Sequence, residues 1–248
     1  MFILALHGFT GCGADFVPLA QTIGGEWHCP ELPGHGPESQ LDCSPEGTID
    51  CINNALIHHQ ISVNTQKILL GYSMGARAAL LHATHHPDVW DALILISGNP
   101  GVENEINRSD RRIADSELAG SIERLGVKKF LEFWQETPLI RSQKVIPTNH
   151  RAFMQANRLK NTSLGLAKSL RQFGQGSAPN LWPEIGKLAM PILLITGEKD
   201  TKYTNIAQRM QKVLPNASHV SILNTSHMPH LEQSDSVEKA IKNFLLKQ

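Results

Sequence analysis

A serine becomes a useful base or nucleophile when an imidazole takes its proton and a carboxylate orients that imidazole. Gly71-Tyr72-Ser73-Met74-Gly75 sets a serine between two glycines. The apolar run Lys67-Ile-Leu-Leu leads in, and Ala76-Arg-Ala-Ala-Leu-Leu-His leads out. This predicts a strand, a one-residue elbow at Ser73, and a helix. Such an elbow holds its central residue in a strained conformation and leaves no room for bulk two residues to either side. Gly71 and Gly75 meet that demand, and the Ser73 backbone then stands at a helix N-terminus. The partners should follow as acid, then histidine. Pro191-Ile-Leu-Leu-Ile-Thr-Gly reads as a buried strand with Glu198-Lys-Asp200 at its end. Val220-Ser-Ile-Leu reads as the next, followed by Asn224-Thr-Ser-His227. Ser73, Asp200 and His227 therefore each fall just past the C-terminal end of a predicted strand, where open α/β sheets bind ligands. Glu198 competes for the acid role and His230 for that of the histidine.

Acyl transfer and enolate chemistry both also need donors for a developing oxyanion. Phe2-Ile-Leu-Ala-Leu predicts a strand, and His7-Gly8-Phe9-Thr10-Gly11 follows it. The backbone N–H groups of Phe9 and of Met74 would form the oxyanion hole, with Gly8 and Gly11 letting the loop approach Ser73.

The elements that must position these groups fall into three blocks. Residues 1–98 alternate strands at Phe2–Leu6, Trp27–Pro30, Lys67–Leu70 and Ala92–Ile96 with helices near Ala14–Ile23, Thr48–Ile61 and Met74–His86. Residues 184–248 resume the alternation, with strands 191–196 and 219–223 and helices 204–213 and 234–247. Strands recurring between helices imply a mainly parallel sheet covered on both faces, an α/β fold. Between them, over 99–183, the strand pattern disappears. Ser109–Leu125, Val127–Gln135, His150–Leu159 and Ser163–Phe173 read as amphipathic helices, an insertion expected to cap the site.

The chain has 248 residues, enough for one substantial core, and a formal charge of zero, which gives no general pull toward nucleic acid or anionic membranes. Four cysteines (12, 29, 43 and 51) have no C-x-x-C spacing, so they read as free thiols of a reducing compartment, without a zinc or redox site. With no leader-like segment and no apolar run long enough for a bilayer, the expectation is a cytoplasmic protein, monomeric by default, with no membrane partner.

Charge is unevenly placed. Residues 99–180 hold thirteen Lys and Arg against eight Asp and Glu, and 137–183 hold seven basic residues and no acidic one. Most of these would be solvated, but a basic cap over a reactive serine suggests an anionic substrate, because guanidinium forks hold carboxylates bidentately. His82, His85 and His86 have helical spacings that could bind a metal, but they sit late on the helix behind Ser73 and read as a surface cluster. No metal site or cofactor is expected, and Gly24-Gly25 and Gly174-Gln175-Gly176 read as turns, not phosphate loops.

Over nearly its whole length the chain resembles the 2-succinyl-6-hydroxy-2,4-cyclohexadiene-1-carboxylate (SHCHC) synthases of the α/β-hydrolase superfamily. The shared motifs of that superfamily are His7-Gly8-Phe9-Thr10-Gly11, Leu32-Pro33-Gly34-His35-Gly36 and the elbow. More specific are Arg77 after the elbow, Arg111-Arg112-Ile-Ala-Asp115, the Phe130…Trp134…Pro138 segment, and Arg158. Thr196-Gly-Glu-Lys-Asp200-Thr-Lys-Tyr203 and His227-Met-Pro-His230-Leu-Glu232 close the match. Two departures are Ser226, where a glycine commonly precedes the histidine, and Ser97-Gly98-Asn99-Pro100-Gly101 in place of Ser-Ala-Ser-Pro-Gly. The resemblance implies an α/β-hydrolase fold with a helical cap, and a lyase that eliminates pyruvate from a tricarboxylate in menaquinone or phylloquinone biosynthesis. It also implies that Arg77, Arg111 (or its neighbour Arg112) and Arg158 clamp carboxylates, and that Tyr72 and Trp134 line the pocket. For Trp134 a buried anchor in the cap is the competing reading. The competing function is a carboxylesterase or thioesterase acting on small anionic esters, which would use the triad covalently and would not need the arginines.

Overall fold

The computed structural model describes residues 1–59, 61–62 and 64–247. Six parallel strands form one sheet in the order β2-β1-β3-β4-β5-β6. They are β1 (Phe2–Leu6), β2 (Glu26–His28), β3 (Lys67–Tyr72), β4 (Ala92–Ile96), β5 (Ile192–Gly197) and β6 (Ala217–Ile222). The central strands are apolar on both faces because both faces are covered. Leu4, Leu69, Leu93 and Leu194 pack toward one side, against α2 (Pro45–His58), α3 (Met74–His85) and α9 (Thr201–Val213). Their neighbours Ile3, Ile68, Ile94 and Leu193 point the other way, onto α1 (Val17–Ile23) and α11 (Ser234–Leu245). Each such buried side chain contributes about 1.5–3 kcal/mol relative to exposure.

The chain leaves β1 toward β2 on one side and returns to β3 on the other, so the sheet's topological switch point lies between β1 and β3. Ligands bind at the carboxyl ends of strands beside such a point. The loop after β1 and the elbow after β3 meet there.

Between β4 and β5 the described chain is helical: α4 (Glu105–Trp134), α5 (Pro138–Arg141), α6 (Thr148–Arg158), α7 (Ser163–Phe173) and the short α8 (Trp182–Ile185). α4 is two helices joined at Gly126, whose φ of 77° and ψ of 160° break the helical path, as the expected split into 109–125 and 127–135 requires. The insertion has a small core of its own, in which Ala119, Ile122 and Phe130 of α4 meet Leu166, Ala167 and Leu170 of α7.

Several boundaries differ from expectation because of caps. α2 begins at Pro45 and not at Thr48, since the Gly47 N–H donates to the Ser44 hydroxyl at 3.1 Å and Pro45 suits the first helical turn. It ends at His58; Gln60, which the expected helix included, lies outside the described residues. α9 begins at Thr201 and not at 204 because the Asp200 side chain caps it. A short α10 (Pro229–Glu232) follows the histidine loop, where no helix was expected. The surface reading of His82 is wrong. Its ring is fully buried, its Nε2–H donates to Asn53 Oδ1 at 3.0 Å, and its Nδ1 accepts from the Trp90 indole at 3.0 Å. Both nitrogens are committed, so this imidazole holds α3 to α2 and to Trp90.

Candidate active site

Ser73 is the residue between β3 and α3, with φ 52° and ψ −106°. A non-glycine residue in such a conformation costs about 1–3 kcal/mol, and surrounding structure must impose it. The surroundings do so at close range. A Cβ on Gly71 would lie 2.4 Å from the Gly75 carbonyl oxygen, and one on Gly75 would lie 1.9 Å from that of Leu6. The Ser73 N–H is held by the Ile96 carbonyl at 2.9 Å. Thr10 (φ 66°) and Ser97 (φ 48°), past the ends of β1 and β4, share the positive φ, so strain is concentrated around this edge of the sheet.

The Ser73 hydroxyl donates to His227 Nε2 at 3.0 Å, and His227 Nδ1–H donates to Asp200 Oδ2 at 2.6 Å. The carboxylate fixes the tautomer: with the proton on Nδ1, Nε2 is left as the acceptor facing serine. Asp200 and His227 are almost wholly buried. Glu198 is instead exposed and accepts from the Asn224 N–H at 3.0 Å. His230 is buried against Phe16 and Tyr72, its ring nitrogens have no partner among the described residues, and burial pulls its pKa down to about 3. Neither alternative joins the triad.

Ser73 opens into a cavity of about 430 Å³ between the strand ends and the inserted helices. Phe9 and Met74 line it beside the serine, and Met74 begins α3, where helix N–H groups lack intrahelical acceptors. Arg77, Arg111 and Arg158 all reach the same cavity. Arg77 lies one turn beyond Ser73, nearly fully buried, with one Nη donating to the Phe173 carbonyl at 2.9 Å. Arg158 is buried as deeply. Burial pulls the pKa of both guanidinium groups below the usual value; Tyr203 and Asp115 oppose this at Arg77, and Asp15 opposes it at Arg158. Arg111 is held by Asp115, one turn along α4, whereas Arg112 turns outward to Glu105. Of the two adjacent arginines, Arg111 is the one that lines the cavity. The Nε–H of Arg77, of Arg111 and of Arg158 is buried with no partner among the described residues, and so is the Trp134 indole N–H. Trp134 also stacks on Phe130 and meets Phe9 edge-on, so it is both an anchor and a cavity wall.

The profile of the Alpha/beta hydrolase family matches residues 3–240. A Bacillus subtilis (strain 168) protein, provisionally named 2-succinyl-6-hydroxy-2,4-cyclohexadiene-1-carboxylate synthase, is 32% identical over 98% of this chain and 89% of its own. The Salmonella paratyphi C protein of that name is 28% identical over 98% of this chain and 93% of its own. The structure of MenH from S. aureus superposes with a TM-score of 0.92 at 30% identity, over all of this chain and 94% of that one. The chain belongs to the SHCHC synthase family of α/β hydrolases.

Sequence reasoning missed two residues in this SHCHC synthase pocket, Lys202 and Asp15. Lys202 lines the cavity from the first turn of α9, beside Tyr203, whose hydroxyl accepts from Gln175 at 3.2 Å. Its position two residues beyond the triad acid was the available signal. Asp15 is buried at the cavity wall, and burial raises its pKa despite the opposing Arg158 and His7. Nothing in its loop sequence marks it.

Proposed function

We propose that this protein is the lyase that eliminates pyruvate from 2-succinyl-5-enolpyruvyl-6-hydroxy-3-cyclohexene-1-carboxylate to give SHCHC, a step of menaquinone or phylloquinone biosynthesis. The observation that carries this reading is the set of three arginines whose Nε–H groups stand buried and unpartnered around the serine's cavity. An unsatisfied buried donor costs about 1–3 kcal/mol, more when charged, and a carboxylate-rich ligand removes that cost. The substrate has three carboxylates.

In this reading the helices over 99–183 form a cap on an α/β core of residues 1–98 and 184–248. Arg77, Arg111 and Arg158 hold carboxylates so that the ring C–H next to the succinyl ketone faces Ser73. His227 takes the hydroxyl proton and Ser73 takes the carbon-bound one. The enolate oxygen develops between the N–H groups of Phe9 and Met74, which typically supply about 2.7–4 kcal/mol per donor. Its electrons return through the ring double bond, forming the conjugated diene and breaking the carbon–oxygen bond to enolpyruvate. The leaving group takes up a proton and departs as pyruvate, and no water enters the balance. Asp200 holds the His227 tautomer and stabilises the imidazolium. Tyr72 and Trp134 wall the site.

The test supplies purified protein with enzymatically generated substrate and follows pyruvate, with Ser73→Ala as control for spontaneous loss. The expected result is rapid release that the Ser73→Ala substitution abolishes while the fold, by circular dichroism, stays intact. Release no faster than the spontaneous rate overturns the reading.

A further inference from the structure

We infer that Glu232 is a positioning residue of the triad: its carboxylate grips the backbone on both sides of His227 and sets where the imidazole stands. Glu232 Oε2 accepts the Ser226 N–H at 2.7 Å, and Oε1 accepts the Met228 N–H at 3.1 Å. The two N–H groups belong to the residues on either side of the catalytic histidine, so one rigid planar group ties the Thr225–Ser226 peptide to the His227–Met228 peptide. Glu232 itself is carried by α10, whose Glu232 N–H returns to the Met228 carbonyl at 3.0 Å. The histidine loop and its carboxylate thus form a closed ring.

Other features suit this role. Glu232 is buried, and no guanidinium or ammonium group is paired with it among the described residues, so its lone pairs serve these amides. Burial raises its pKa, and the bonds from Ser226 and Met228 are the leading influences that favour the ionised carboxylate against that burial. The loop has no glycine before the histidine to let it settle alone; Ser226 stands there, and its carbonyl lies so close to Gly197 that a Cβ would come within 2.0 Å of it. The Ser142 hydroxyl makes a third, longer contact with Oε1 at 3.4 Å. Ser142 follows α5 of the insertion, so the carboxylate that sets His227 also touches the element that covers the site.

A carboxylate has acceptors on both oxygens; the isosteric amide of Glu232→Gln keeps one and turns an NH₂ toward the other N–H. The imidazole should then sit displaced or poorly defined. A misplacement of ~1 Å costs about 10²-fold in a reaction of this kind.

The inference concerns any chemistry at Ser73, so three readouts are made on wild type, Glu232→Gln and Glu232→Asp: pyruvate elimination, hydrolysis of an uncharged nitrophenyl ester, and titration of Ser73 with a fluorophosphonate. The expected result for Glu232→Gln is a kcat lower by about 10²-fold per titrated site on both substrates, with KM within about twofold, and partial recovery in Glu232→Asp. Unchanged kcat per titrated site, with only a lower melting midpoint or a smaller active fraction, overturns the inference, because Glu232 would then serve the fold alone. A rise in KM for the anionic substrate with normal ester hydrolysis also overturns it, because Glu232 would then act on substrate. If wild-type protein hydrolyses the ester and reacts with the phosphonate but eliminates no pyruvate, the proposed lyase fails while those two readouts still decide the role of Glu232.

Discussion

Arg77 is the residue at which the proposed carboxylate grip is most directly tested. It stands one turn after Ser73 on the same helix and lines the cavity, with one Nη held by Phe173 and its Nε buried without a partner among the described residues. A charged hydrogen bond of this type is worth about 1.5–3 kcal/mol, which is about 10- to 150-fold in rate. Arg77→Ala should therefore lower kcat/KM for pyruvate elimination by that range and leave hydrolysis of an uncharged ester within about twofold. Equal losses on both substrates would make Arg77 a packing residue and remove it from the carboxylate grip. This residue was legible in the sequence because its offset from the elbow places it on the face of α3 nearest the serine. Arg111 was legible only as one of a pair. Adjacent helical residues point about 100° apart, and which one turns inward depends on where Asp115 and the strand ends lie.

Secondary-structure elements here carry two duties at once, most plainly at the start of α9. Asp200 orients His227 with Oδ2 and accepts the Tyr203 N–H with Oδ1 at 3.3 Å, so the triad acid is also the helix cap. The two duties separate by substitution. Asp200→Asn keeps a side-chain oxygen for the cap but presents an amide to the imidazole and disturbs its tautomer. It should lower kcat by roughly 10³–10⁴-fold with little change in stability. Asp200→Ala should lose the same activity and in addition about 1 kcal/mol of stability, read by urea denaturation. A stability loss of the same size in both variants would show that the cap bond contributes nothing. The dual role explains a boundary that the sequence pattern placed three residues late: periodicity marks the apolar face of α9 from Ile206 and Ala207 onward, whereas the first turn is set by a carboxylate that also bonds His227. The elbow and the β5 and β6 strand ends were legible for the opposite reason, since apolar runs and glycines flanking a serine are local signals. The segment between β4 and β5 was legible as helices, but the convergence of α4, α6 and α7 on one cavity depends on contacts distant in sequence.

Across the whole molecule, three buried imidazoles make stability depend on pH. His35, His82 and His230 are fully buried, and burial, ahead of neighbouring histidines, lowers each pKa to about 3. In the unfolded chain each titrates near about 6.5. Above that pH both states are neutral and the full stability is present. Below it the unfolded chain takes up protons that the native state excludes, so stability falls as pH drops toward about 3, by up to about 1.4 kcal/mol per pH unit for each imidazole. Urea denaturation at pH values between about 7 and about 5 should show this decline. His230→Phe should preserve the fold, since the ring already packs on Phe16 and Tyr72 with no hydrogen bond among the described residues, and should reduce the slope. An unchanged slope would mean that His230 protonates in place.

The side chain of Asn161, just beyond α6, donates to the Thr10 carbonyl at 3.0 Å and accepts the Gly36 N–H at 3.0 Å. It joins the insertion to the loop that carries Phe9 and to the loop after β2, three residues from Arg158. The helices between β4 and β5 are thus joined to the core loops through a specific side chain. A chimera that grafted the insertion of a relative onto this core would deliver its arginines in register only if the donor brought an amide to position 161, and if the recipient's loops offered it a carbonyl and an N–H at that spacing. Transplanting substrate preference among these proteins is a matter of matching joints, and the joint lies outside the pocket.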